Sequence, residues 1–289
     1  MYTYTNVDKG LGFPAFFCVF QGGNYHALTN IQSKIIMLVY LYTAIQEEGE
    51  IMKRFYPQNR LTESSMGERV IADLRMRIIS QDINEGAILS ENKLSQEYNM
   101  SRSPIRDALK LLEKEGLVQQ KRMGANVIGI SEKDIDEIYD IRLIIESFVF
   151  KRLLKSETAS LINQLNKILE MMKIAVKYND ADEFSFRDIE FHEKIITSIH
   201  HRHIEILWSN LRPIMECLVL LSMRHRMEEN KEDFDRVIQN HELLIQAIEN
   251  KDERLVDEAF YKNFNDVHKQ SDDLWSNPIF LKRASMYHE

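Results

Sequence analysis

The chain is poor in the residues that staple, kink or interrupt a fold. Among its 289 residues are 2 cysteines, Cys18 and Cys217, in unrelated contexts. That excludes a disulfide framework or a cysteine metal cluster and suits a reducing cytoplasm. Only 5 prolines and 10 glycines occur against abundant Leu, Ile, Glu and Lys, so the composition favours a mostly helical protein. Apolar runs are short as well. Residues 11–20 and 35–45 fall below the roughly 20 residues that cross a bilayer, and the first has no basic segment ahead of it beyond Lys9 and no clear cleavage site behind. No membrane association is expected. There is no Gly-x-Ser-x-Gly, P-loop or dinucleotide fingerprint, and the paired Glu-x-x-His motifs of di-iron bundles are missing. A metal-dependent helical-bundle enzyme is therefore only a remote alternative.

An excess of positive charge is also missing, since the net charge is −8. Its distribution matters more than its sum. Residues 66–130 carry ten basic and nine acidic side chains, residues 1–65 carry five of each, and the remaining −9 falls on 131–289. A nearly neutral head on an acidic body must meet any polyanion through a few local groups, here Arg102, Arg106, Lys121 and Arg122.

What is present is organised around Ser101-Arg102-Ser103-Pro104-Ile105-Arg106-Asp107-Ala108-Leu109. Ser103 as cap and Pro104 at the first helical position open a helix. Its buried face is Ile105, Ala108, Leu109 and Leu112, spaced i, i+3, i+4 and i+7. Gly116 supplies the left-handed residue that ends it. Arg102, Ser103 and Arg106 stay exposed at the positive end of the helix dipole, suited to phosphates and guanine edges. Before it, Ser90 caps a short helix over 91–98, and Asn99-Met100-Ser101 makes the turn of a helix-turn-helix. After Gly116, two strand-like runs flank Lys121-Arg122-Met123-Gly124 and predict a β-hairpin wing, with Gly124 allowing close approach of backbone to DNA.

The ordered pieces Leu74-Arg75, Ile78-Ile79, Glu85-Gly86, Leu94-Ser95, Ser101 to Leu109, Leu112-Glu113-Lys114-Glu115-Gly116-Leu117-Val118 and Gly124-Ala125-Asn126-Val127 resemble the winged-helix domain of the GntR family of bacterial transcription regulators. The resemblance implies that Ser101, Arg102, Ser103, Arg106, Lys121, Arg122 and Gly124 meet a double-stranded operator.

From 131 onward the pattern is helical throughout. Ser131 to Asp134 reads as a capping box, and helices are expected near 132–155, 157–178, 181–199, 202–226, 231–249 and 252–270. Ile135-Tyr139-Arg142-Glu146, Asp188-Ile189-Glu190-Phe191-His192 and His241-Leu244-Ala247-Ile248 resemble the effector domain of the FadR-like branch of that family, the FCD type. Asp188 and His192 lie i and i+4 on one helix and can address one point, a donor pair suited to zinc, nickel or manganese. The resemblance adds His241 and a fourth position. Metal-binding members carry a further His there, whereas this chain has Asn263. Arg142 is the candidate clamp for an anionic effector and can also pair with Glu146 at i+4. His200-His201-Arg202-His203 reads as a solvated bend, and Met171, Met172, Met215, Met223 and Met227 read as core filling.

The expected fold is mainly α, with an N-terminal winged helix-turn-helix over 66–130 and an all-α antiparallel helical bundle over 131–275. A tail follows over 276–289. Residues 1–65 form an N-terminal extension, and Glu47-Glu48-Gly49-Glu50-Ile51 resembles a translated ribosome-binding leader, which predicts a native start at Met52. The expected function is that of a cytoplasmic homodimeric regulator. It binds an inverted-repeat operator and responds to a small carboxylic acid, through one divalent metal ion. The alternative is a metal-free effector such as an acyl-CoA.

Overall fold

The computed structural model describes residues 55–265 apart from residue 63, and gives 261 and 263–265 as backbone alone. The predicted start at Met52, Cys18, the side chain of Asn263 and the tail 276–289 lie outside the described residues. A capping box opens the first helix, α1 (Met66–Ile79), in which the Ser65 side chain accepts from the Glu68 backbone and Glu68 answers it. Val70, Leu74 and Ile78 are buried along its inner face. Then come α2 (Glu91–Glu97) and α3 (Arg102–Lys114), joined by a turn through Asn99 at φ 50°. Ile105, Ala108, Leu109 and Leu112 are the buried face of α3, as the spacing predicts.

The cap of α3 is Ser101, not Ser103. Pro104 therefore sits at the third helical position. It is tolerated there because the first four helical N–H groups have no acceptor within the helix. A second difference is a short strand. β1 (Ile88–Leu89), for which the sequence gives no strand expectation, pairs antiparallel with β3 (Gly124–Val127), which also pairs with β2 (Val118–Lys121). Lys121 stands opposite Gly124, so Arg122 and Met123 form the wing tip. Gly124 has an internal reason to lack a side chain. At φ +134° an added Cβ would come to 2.6 Å of the Leu89 carbonyl oxygen.

Six helices follow: α4 (Glu132–Leu153), α5 (Ala159–Lys177), α6 (Ala181–Thr197), α7 (Arg202–Glu229), α8 (Asp233–Asn250) and α9 (Glu253–Asn265). The predicted capping box at Ser131 and Asp134 opens α4. At its far end Lys251 Nζ donates to the carbonyls of Leu153 at 2.9 Å and Ser156 at 2.7 Å. A cation thereby occupies the negative end of the dipole. Helix α7 is long and apolar enough to cross a bilayer by length and composition. Here it is the packed spine, with Trp208, Met215, Cys217 and Leu220 among its buried residues. Met171 departs from its expectation as core filling, being exposed on α5, whereas Met172, Met215 and Met223 are buried.

The chain is already folded ahead of residue 66. Tyr56 and Leu61 are buried, and the segment around the 3-10 turn Gln58–Leu61 lies along α6 and α7. Its Tyr56 hydroxyl donates to Glu216, Arg60 pairs with Glu183, and Arg224 donates to the Phe55 carbonyl at 3.0 Å. Residue 55 onward thus ties the winged head to the bundle. Nearby, buried Arg75 of α1 forks to Glu115 at 2.7 and 2.8 Å. Burial pushes the Cys217 thiol up to about 12, leaving an inert core residue.

Candidate effector site and nucleic-acid interface

Helix α6 buries Phe184, Asp188, Phe191, His192 and Ile195 on one stripe, so the i, i+4 pair faces inward. Helix α8 does the same with Phe234, Val237, His241 and Ile245. The structure brings together the three predicted ligands with described side chains. Donor atoms of Asp188, His192 and His241 all lie within 4.8 Å of one another, and all three residues are buried. Phe191 packs edge-on against His241, ring centroids 4.8 Å apart. Asn263 falls on α9, whose backbone approaches the site. The Asn240 side chain donates to the Lys262 carbonyl at 3.2 Å, one residue from His241 on one helix and from Asn263 on the other.

The two imidazoles are oriented by partners behind them. His192 Nδ1 lies 2.8 Å from Glu146 Oε2, and His241 Nδ1 lies 2.8 Å from the Val237 carbonyl. A backbone carbonyl only accepts, so His241 donates through Nδ1. The carboxylate of Glu146 fixes His192 in the same way. That turns both Nε2 atoms toward Asp188. Both are buried without a hydrogen bond, although His241 Nε2 is 3.1 Å from Asp188 Oδ1. Two buried nitrogens aimed at a carboxylate, each held from behind by an oxygen, are the pattern of metal-ligating histidines.

Glu146 is shared. Its Oε1 accepts from Arg142 Nε at 2.7 Å, so the predicted i, i+4 pair forms, and it forms in the interior. Burial would raise the Glu146 carboxyl, but His192 and Arg142 outweigh that and hold it below its ordinary range. Asp188 behaves alike: burial is overcome by the close approach of His241 and by His192 and Arg142, which hold its carboxyl below the ordinary range. Burial and Arg142 push His192 down, which keeps it neutral. Arg142 thus serves two buried carboxylates, Glu146 and Asp188, and Arg226 is a second guanidinium in the wall of the adjoining cavity.

Beside this cluster is a cavity of ≈ 20 Å³. Its walls include Tyr139, Arg142, Asp188, Ser222, Arg226 and Asn240. Such a volume holds about one water, so an organic ligand must widen it. Sequence reading missed Ser222, Arg226 and Asn240, which reach the cavity from α7 and α8. It also missed the link from Glu146 to His192. His200 and His203 are not part of the site; His201 caps α7 through Nδ1.

On the head, Ser101, Arg102, Ser103 and Arg106 are exposed along the start of α3, and Lys121 and Arg122 are exposed at the wing. The Ser101 hydroxyl makes no capping bond. Both arginines of α3 converge on Glu91 of α2, a partner the sequence did not reveal.

Comparison with known proteins agrees with both halves. The family described as bacterial regulatory proteins, gntR family, matches residues 66–128, and the FCD domain matches 137–265. A gluconate operon transcriptional repressor from Bacillus licheniformis is 52% identical over 80% of this chain and 95% of its own length. Its counterpart from Bacillus subtilis is 51% identical over 80% and 96%. The transcriptional repressor RspR of Escherichia coli is 26% identical over 70% of this chain and 87% of its own. Among solved structures, E. coli McbR/YncC has the same fold, with a TM-score of 0.55 at 21% identity, covering 71% of this chain and 98% of that one. The chain belongs to the GntR family of bacterial transcription regulators, with an FCD domain behind its winged helix-turn-helix, and is a DNA-binding regulator and not an enzyme.

Proposed function

We propose that the protein is a cytoplasmic repressor that binds an inverted-repeat operator as a homodimer and changes its DNA affinity when a small carboxylic acid enters the cavity beside Asp188. The relatives named for a gluconate operon make a sugar acid the favoured effector. The observation that carries this reading is the pair of buried Nε2 atoms turned to Asp188 next to a cavity walled by Arg142. Asp188, His192 and His241, with Asn263 at the fourth position, would hold one zinc, nickel or manganese ion. Such an ion supplies a Lewis-acid contact for a carboxylate or hydroxyl oxygen. It also adds two positive charges beside Arg142 and Arg226, which suits a carboxylate. Arg142 then offers the effector a guanidinium already fixed in direction by Glu146. The charged groups Arg142, Asp188 and Arg226 in the wall suit a small acid better than the long chain of an acyl-CoA.

At the DNA, Ser101, Arg102, Ser103 and Arg106 enter the major groove, while Lys121 and Arg122 reach phosphates with the wing. Gly124 keeps the wing folded against β1. The test is fluorescence anisotropy on a duplex selected from a random pool with the wild-type protein. Gluconate, with zinc present, should weaken binding; indifference to gluconate and to other sugar acids and short carboxylic acids would remove the effector from this reading. Arg106→Ala should weaken specific binding by about 1–3 kcal/mol. Lys121→Ala should weaken all duplexes alike and reduce the salt slope by about one. Unchanged specificity in the first variant excludes base reading, and an unchanged slope in the second excludes a phosphate contact.

The dimer reading is supported by an apolar stripe on α4. Ile141, Ile144 and Phe148 are exposed at i, i+3 and i+7, and Ile206 and Leu207 are exposed near the start of α7. Phe148 reaches that end of α7 through His201, ring centroids 5.7 Å apart. A contiguous apolar surface of this kind marks a contact face. Ile144→Glu should convert the dimer to monomer in light scattering after size exclusion, with helix content retained. An unaltered mass would place the contact elsewhere.

A further inference from the structure

The two arginines at the head of α3 do not extend freely into solvent. Arg102 directs Nε and Nη2 to Glu91 Oε2 at 3.2 and 2.8 Å. Arg106 directs Nε to Oε1 at 2.8 Å and Nη2 to Oε2 at 2.9 Å. One carboxylate on the neighbouring helix therefore receives four N–H groups from two residues that are four apart. Glu91 is the first residue of α2, where the helix dipole favours a negative charge. Arg106 and Arg102 together hold its carboxyl down to about 2.

The direction of approach matters. A guanidinium has five N–H groups in a rigid fork. The side-on edge, Nε with one Nη2 proton, is committed to Glu91 in both arginines. The end-on edge, Nη1 with the other Nη2 proton, is left in each. An edge of that shape can meet guanine O6 and N7 with two bonds. Attraction to the phosphates of any sequence follows net positive charge, and here two positive groups share one negative group.

We propose that Glu91 is a specificity-determining residue of the DNA-reading head. It holds Arg102 and Arg106 side-on so that their end-on edges are presented to guanine, and it lowers the charge they offer to the phosphates of any sequence. Discrimination is a difference between two affinities, and Glu91 acts on both: it aims the arginines at the operator and weakens their attraction to random DNA. This rests on the reading that Arg102 and Arg106 meet DNA.

The test compares wild type, Glu91→Gln and Glu91→Asp by fluorescence anisotropy over a series of KCl concentrations. The probes are the duplex selected with wild-type protein and a scrambled duplex of the same composition. Glu91→Gln keeps the shape and removes the charge. It should bind the scrambled duplex more tightly, reduce the ratio of the two affinities about tenfold, and steepen the salt dependence by about one. Glu91→Asp keeps the charge and should restore weak binding to the scrambled duplex. A carboxylate that merely braced α2 against α3 would, on removal, lower the melting temperature and weaken both duplexes together; that result, or an unchanged ratio and slope, overturns the proposal. Failure of the underlying reading looks different, because Arg106→Ala would then leave operator binding intact in an otherwise wild-type protein.

Discussion

Glu146→Ala should remove about 3–5 kcal/mol of stability in urea denaturation, the loss expected when one partner of a buried ion pair is deleted. Glu146 is fully buried and accepts from Arg142 at 2.7 Å and His192 at 2.8 Å. Its removal leaves a guanidinium that is 2% exposed, with nearby Asp188 already facing His241. The comparison that isolates burial is Glu170→Ala. Glu170 pairs with Lys173 at 3.0 Å, a normal length, but at the surface. Removing it should cost under about 0.5 kcal/mol, as exposed helix pairs do. Unequal losses from pairs whose lengths differ by only a few tenths of an ångström would show that desolvation, and not pairing as such, sets the magnitude. For a chain of this size the Glu146 loss corresponds to a fall in Tm of roughly 6–20 °C. A loss below about 1 kcal/mol would mean that solvent or another carboxylate reaches Arg142, and the sealed network described above would be wrong.

Glu146 also shows where sequence reading stops. Its pairing with Arg142 is legible because residues four apart share a helix face. Its bond to His192 spans 46 positions between α4 and α6, and depends on how two helices are rotated against each other, which no periodicity records. The same holds for Glu91. It opens α2 as an ordinary first-turn acid, while its two partners lie 11 and 15 residues on, across the turn. Helices declare themselves through the 3.6 repeat of apolar residues, so all six helices of the bundle are found near their predicted places. A two-residue strand such as Ile88–Leu89 is too short to show alternation, and only its partner β3 defines it. The cap of α3 was misplaced by two residues because Ser101 and Ser103 both precede an apolar run, and Pro104 fits either frame. His241 entered the metal set through resemblance, since nothing in its spacing from Asp188 carries that information. Tyr56 and the segment before α1 have no sequence signal, and although Arg75 and Glu115 both belong to the family motifs, their pairing across 40 positions is not legible.

The second large effect concerns the same interior charge. Asp188 is a buried carboxylate, and beside it the Nε2 atoms of His192 and His241 are buried without a hydrogen bond. A divalent ion there relieves two costs together, the burial of the carboxylate charge and the unbonded nitrogens. Chelator-stripped protein should therefore gain about 2.7 kcal/mol at a hundredfold excess of zinc over its Kd, seen as a rise in Tm of roughly 5–10 °C. Asp188→Ala separates this from nonspecific stabilisation. The metal-free variant should melt somewhat below the metal-free wild type, because the fold holds Asp188 in its charged form. Its response to zinc should vanish. His192→Ala should lose the response too, and it also starts from a lower Tm because Glu146 then lacks one of its donors. Gluconate should raise Tm further only in the metal-loaded wild type, where the ion adds positive charge beside the cavity. If nickel, manganese and zinc all leave the wild-type Tm unchanged, the metal leaves the proposal, and Arg142 and Arg226 become the handles for an acid.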